Sequence, residues 1–67
     1  MEIYQTCADY TNKQIEVIEN WCDSKFGTET EITDDEDGWY LMVFDLTFRE
    51  VQKLRDFENM FRVDMKI

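Results

Sequence analysis

The amino-acid sequence predicts an α+β fold of order βαββαβ, with a four-stranded antiparallel sheet and two helices on one of its faces. Three observations predict it. The segments DYTNKQIEVI and DLTFREVQKL align without gaps at an offset of 36 residues, and each reads as a helix start. A strand-like segment precedes each helix and another follows it. Asp37-Gly38 supplies a hairpin-turn signal between the two halves. Two such βαβ units, interlocked with right-handed crossovers, give the split βαβ arrangement called ferredoxin-like. It forms one domain over residues 1–67, with halves at about 1–33 and 38–67.

The elements follow in order. The first strand is EIYQTC. Thr11 then caps the first helix, and Gln14 reaches back to close a capping box. Tyr10 and Ile15 flank that cap as a hydrophobic staple. Ile15, Ile18, Cys22 and Phe26 recur at one-face helical spacing with Trp21 beside them, and Gly27 stands where a left-handed residue ends a helix. The threonine-rich, alternating TETEIT is the second strand, and WYLMVF is the third. The second helix repeats the opening of the first, with Thr47 as cap, Glu50 closing the box and Leu46 stapled to Val51. Its stripe is Val51, Leu54, Phe57 and Phe61, and it is expected to end near Asn59. RVDMKI then reads as a fourth strand, in which Val63, Met65 and Ile67 alternate with Arg62, Asp64 and Lys66. Strands one and three would lie in the middle of the sheet.

Composition excludes several classes. A chain of 67 residues buries only about 60% of its extended-chain surface, yet at 43% hydrophobic and 15% aromatic it is too apolar for disorder. No apolar run approaches the ~18 residues of a membrane span, and the N-terminus shows neither a basic leader nor an apolar signal region, so a soluble protein of the cytoplasm, or of the nucleus, is expected. Sixteen acids against seven bases give a net charge of −9. Residues 1–45 hold twelve acids and two bases, whereas residues 46–67 hold four acids and five bases. Such a balance repels nucleic acid and anionic membranes and attracts a basic partner. Cys7 and Cys22 match no metal or redox spacing and are read as buried free thiols. With no histidine, no base beside a serine or cysteine and no glycine-rich loop, neither an enzyme nor a cofactor or metal site is expected. Small ferredoxin-like acyl-phosphate hydrolases place an arginine in the loop after the first strand; here that loop is ADYTN.

In the expected fold the helices cover one sheet face and leave the other open, so WYLMVF can bury only alternate residues. The repeat maps Ile3 onto Trp39 and Cys7 onto Val43, and a two-residue Asp37-Gly38 hairpin opposes Ile32 to Val43. The inward set is then Ile3, Cys7, Ile32, Trp39, Leu41, Val43, Val63, Met65 and Ile67. Tyr4, Tyr40, Met42 and Phe44 point outward, flanked by Glu29, Glu31 and Thr33 on one edge and Arg62, Asp64 and Lys66 on the other. An apolar patch rimmed by polar residues marks a contact site.

Two motifs fit known patterns in part. Asp35, Asp37 and Gly38 fall at positions 3, 5 and 6 of a calcium-binding EF-hand loop, but Phe44 stands where the bidentate carboxylate is required. DGWYLMVF and IYQTCA resemble the RNP1 and RNP2 strands of the RNA-recognition motif over about fourteen residues. That resemblance implies base stacking on Tyr4 and Trp39. It departs from the family where Asp37 replaces the RNP1 base and Leu41 the aromatic residue, and the chain's charge opposes RNA.

The expected function is a non-enzymatic, acidic protein-interaction module. Tyr4, Tyr40, Met42 and Phe44 would anchor it on a basic partner protein, with Glu29, Glu31, Asp34, Asp35, Glu36 and Asp37 as charged rim. Small acidic domains of this kind are familiar as phage-encoded inhibitors that mimic nucleic acid, an analogy of size and charge. The acids around WYLMVF would also act as gatekeepers against aggregation. The alternative is a homodimer through the open face, with the Arg62/Lys66 edge of one copy meeting the Glu29/Glu31 edge of the other.

Overall fold

The structure, a computed structural model, describes residues 1–65. Five elements follow one another: β1 (Glu2–Gln5), α1 (Asn12–Lys25), β2 (Thr30–Asp34), β3 (Trp39–Leu46) and α2 (Phe48–Met65). The strands form one antiparallel sheet in the order β1-β3-β2, three strands in place of the expected four. Both helices lie on one face of it, sharing a core with β3.

The paired helix starts form as the repeat dictates. The Gln14 amide donates to Thr11 Oγ1 at 3.2 Å while the Thr11 amide donates to Gln14 Oε1 at 2.8 Å. Thr47 and Glu50 repeat both distances. The staple residues before the caps, Tyr10 and Leu46, are fully buried. At the far end of α1, Gly27 adopts φ +66° and its amide reaches back to the Cys22 carbonyl at 3.3 Å, ending the helix where expected.

The expected fourth strand does not exist in the described residues. α2 passes Asn59 and continues to Met65, which puts Val63 and Met65 on an exposed helix surface instead of in a sheet. No glycine or proline interrupts it, so nothing local stops the helix. Its last turns also make contacts that a strand would forfeit. Phe61 packs on Tyr10 at 5.9 Å between ring centroids, and Arg62 grips both carboxylate oxygens of Asp9 at 2.7 and 3.0 Å. Lys66 and Ile67, the end of the expected strand, lie outside the described residues. β1, expected in the middle of the sheet, is therefore an edge.

The core gathers Ile15, Ile18 and Cys22 from α1, Leu41, Val43 and Leu46 from β3, and Leu54 from α2 around Tyr10. On β3 the inward residues Trp39, Leu41 and Val43 are as expected. Glu2 pairs with Leu46 but Tyr4 pairs with Val43, so β3 carries one extra residue between these pairs. Asp45, in that bulge, takes the left-handed φ of +58°, and the insertion turns Leu46 inward. The β2–β3 register also departs from expectation. Ile32 opposes Leu41, and Asp34 opposes Trp39, because the loop spans residues 35–38. The slip is two residues, so each side chain keeps its face.

β1 has the opposite parity to the one expected. Tyr4 turns toward the helices and Ile3 is 58% exposed, while Thr6 is buried and Cys7 exposed. The equivalence at offset 36 holds for the caps and fails before them. β3 runs directly into its cap at Thr47, but β1 stops at Gln5 and residues 6–10 bend past Gly38 before Tyr10 bridges to Trp39. Gly38 permits that passage: at φ +149°, a Cβ there would stand 2.8 Å from the Tyr10 carbonyl and 3.0 Å from that of Ala8.

Candidate functional site

The sheet face away from the helices is the candidate site. Tyr40, Met42 and Phe44 are partly exposed there, outside the set that packs on the core. On this face Glu31 and Gln5 flank Met42, and Thr33 flanks Tyr40. Beside Phe44, its amide donates to the Glu29 carbonyl at 2.9 Å, and Ile3 lies across from the bulge. The apolar column from residue 40 to residue 44 is about 13 Å long. Of the anticipated anchors, Tyr40, Met42 and Phe44 are brought together, Tyr4 is withdrawn to the other face, and Ile3 takes its place.

The anticipated rim divides. Glu29, Glu31, Asp34, Glu36 and Asp37 are exposed. Asp35 is a turn former: its Oδ1 accepts the amides of Asp37 at 2.8 Å and Gly38 at 3.2 Å. Among the described residues no group of three or more Cys, Asp and Glu is placed to hold a metal ion. Charge is divided by layer. The three strands and the loop between β2 and β3 contain seven acids and no Lys or Arg, and Glu29 adds an eighth acid at the mouth of β2. Every Lys and Arg of the described residues sits on α1 or α2.

Sequence reasoning missed the polar centre of the molecule. Glu58, 4% exposed, accepts the Tyr4 hydroxyl on Oε1 at 2.5 Å, and on Oε2 the Tyr10 hydroxyl at 2.5 Å and the Cys7 amide at 2.9 Å. Burial first, then the hydrogen bond to Glu58 and its charge, pushes the Tyr4 phenol above its ordinary value. Burial likewise raises the Tyr10 phenol, opposed by Arg62 and reinforced by Glu58. Arg62 also lies over the Tyr10 ring at 5.3 Å from its centre. The sequence did hold a signal: Glu58 falls four residues after Leu54 and three before Phe61, on the apolar stripe. With two phenols and an amide fixed on one carboxylate, this cluster ties β1, residues 7–10 and α2 together. The Cys7 thiol, free and exposed beside this cluster, is raised above its ordinary value by burial first and then by the charge of Glu58.

No family model matches this chain, and neither a curated protein nor a solved structure matches it. No helix among the described residues is long and apolar enough to cross a membrane.

Proposed function

We propose that the chain is a non-enzymatic docking module whose open sheet face settles on a basic protein surface. The observation that carries this reading is the division of charge by layer, with acids alone on the sheet side and all bases of the described residues on the helices behind it. Tyr40, Met42, Phe44 and Ile3 supply apolar contact of the kind found at interface centres. Glu29 and Glu31 flank that contact on one side, and Asp34, Glu36 and Asp37 extend the negative charge beyond one end. Where the partner's basic surface is one that grips nucleic acid, the module would occupy it in place of phosphate and act as an inhibitor.

A second copy of the chain fits this face less well. The dimer would need Arg62 at a sheet edge to offset Glu29 and Glu31, but Arg62 belongs to α2 and is held by Asp9. The test is affinity capture with wild type, a Tyr40→Asp/Phe44→Asp double variant and a Glu29→Gln/Glu31→Gln double variant, with light scattering of the free protein. A monomer whose basic partners are released by salt, and are not retained by either variant, is the expected result. Identical partners with all three proteins, or a salt-insensitive dimer burying Tyr40 and Phe44, would overturn the proposal.

A further inference from the structure

The open sheet face ends, on its acidic side, in a strand edge. β2 pairs with β3 alone, so one row of its backbone groups has no strand beside it. Bonds at both ends of the hairpin fix which row that is. The Phe44 amide donates to the Glu29 carbonyl at 2.9 Å, and Asp35 and Gly38 exchange bonds of 2.7 and 3.3 Å. By alternation, the backbone groups of Glu31 and Thr33 point to β3, and those of Thr30, Ile32 and Asp34 point out of the sheet. Among the described residues no other part of the chain bonds these outward amides and carbonyls. The opposite edge, β1, is a poorer template, because the bulge between Glu2 and Tyr4 interrupts its ladder.

Charge decides what β2 accepts. Glu31 stands on the open face of this edge with Glu29 before it, and Asp34, Glu36 and Asp37 follow at the far end. On the helix side, Glu19 of α1 accepts the Thr30 hydroxyl at 3.1 Å. The base nearest in sequence, Lys25, lines instead the pocket of about 510 Å³ between α1 and α2, beside Glu50 and Asp56. Two copies of β2 laid edge to edge would set these carboxylates against one another, which opposes self-pairing. A strand with Lys or Arg at alternate positions meets opposite charge.

We infer that β2 takes up an extended, basic segment of the partner protein, which adds to the sheet along the free edge. The inference rests on the docking function proposed above and names the element that makes the contact. Main-chain hydrogen bonds to Thr30, Ile32 and Asp34 hold the segment, and its side chains set the choice of partner. Residues of the segment opposite Glu29 and Glu31 lie on the open face, where Lys or Arg pairs with the carboxylates. Those opposite Thr30 and Ile32 lie on the helix side, where half-buried Ile32 favours a β-branched neighbour.

The test turns on the backbone. The blocked peptide Ac-Lys-Thr-Lys-Val-Lys-Thr-Lys-NH2 is titrated into the 15N-labelled protein, and amide shifts and hydrogen exchange are followed. Two N-methylated versions keep its charge. One carries the methyls on the valine and second threonine, whose amides face β2; the other carries them on the second and third lysines, whose amides face solvent. The parent is expected to slow exchange at Thr30, Ile32 and Asp34. Methylation at valine and threonine is expected to weaken binding at least about tenfold, and methylation at the lysines less than about twofold. Glu29→Gln/Glu31→Gln changes two exposed side chains and is expected to weaken the parent about threefold or more. No binding of the parent at millimolar concentration, equal effects of the two methylation patterns, or protection confined to Ile3 and Gln5 would overturn the inference. Equal effects combined with loss of binding in the glutamine variant would overturn strand addition alone, since charge would still hold a basic partner and the docking function would stand.

Discussion

Replacing Tyr10 by phenylalanine tests whether the Glu58 cluster holds the fold together. The substitution removes one oxygen and leaves the ring, so the contact with Phe61 is preserved. What is lost is a hydrogen bond of 2.5 Å to a carboxylate only 4% exposed. Hydrogen bonds to charged groups are worth about 1.5–3 kcal/mol, which sets the expected loss for Tyr10→Phe at about 2 kcal/mol. Tyr4 is less deeply placed, and Tyr4→Phe is expected to cost about 1–1.5 kcal/mol. With both phenols gone the buried carboxylate keeps, of its hydrogen bonds among the described residues, the one from the Cys7 amide at 2.9 Å. The double variant should therefore lose about 1 kcal/mol more than the sum of the singles. Glu58→Gln offers one acceptor oxygen where two were used and is expected to cost about 2–4 kcal/mol. In a domain of this size each kcal/mol lowers the melting temperature by roughly 4–8 °C. Urea unfolding followed by tryptophan fluorescence measures all four, as shifts of midpoint at constant slope. A loss below about 0.5 kcal/mol for Tyr10→Phe would refute the reasoning, because it would mean the carboxylate is solvated or partnered otherwise.

Alkaline pH should act on the same centre. Tyr4 and Tyr10 are held above 10.0 and Cys22, by burial, is pushed from 9.0 to about 12, so the unfolded chain releases these protons first. Their contribution is intact below the unfolded values and is lost as pH rises through the folded ones. The urea midpoint should start to fall near pH 9; Cys7, raised from the same 9.0, shares that onset, so Cys22→Ala should make the fall shallower and the Cys7→Ser/Cys22→Ala double variant should delay it towards pH 10, as a pH series of unfolding curves would show. The two glycines should differ. Gly38→Ala meets backbone atoms at 2.8–3.1 Å and is expected to cost more than about 2 kcal/mol, whereas Gly27→Ala has open space to 3.9 Å and should cost about 1 kcal/mol, both by thermal unfolding. Thr11→Ala and Thr47→Ala should each cost about 1 kcal/mol and add, since they cap separate helices; circular dichroism melts of the singles and the double would check it.

Local chemistry made part of this fold legible. The caps, the staples, Gly27 and the parity of β3 each depend on residues within a few positions of one another. The long-range features were not readable in that way. Whether residues 62–65 become strand or helix is decided by Asp9 and Tyr10, some fifty positions earlier, which give Arg62 and Phe61 somewhere to bind. The parity of β1 depends on the bulge at Asp45 and on the passage of residues 8–10 past Gly38, which no pattern inside EIYQTC encodes. For the candidate site, alternation along WYLMVF was enough to select Tyr40, Met42 and Phe44. It could not select between Tyr4 and Ile3. The pocket between the helices arises where two apolar stripes fail to close over each other, and each stripe alone reads simply as core.

The division of charge by layer has a consequence for motion before contact. A molecule with all its acids spread evenly would be drawn to a positive surface yet arrive in any orientation. Here the sheet is one pole and the base-bearing helices the other, so a positive surface also exerts a torque. Within about a Debye length, ~8 Å at physiological salt, the molecule would swing its sheet forward while still separated by water. Exchanging Lys53 with Glu31 would leave the net charge untouched and weaken that rotation, so that encounters become more frequently unproductive at an unchanged overall attraction.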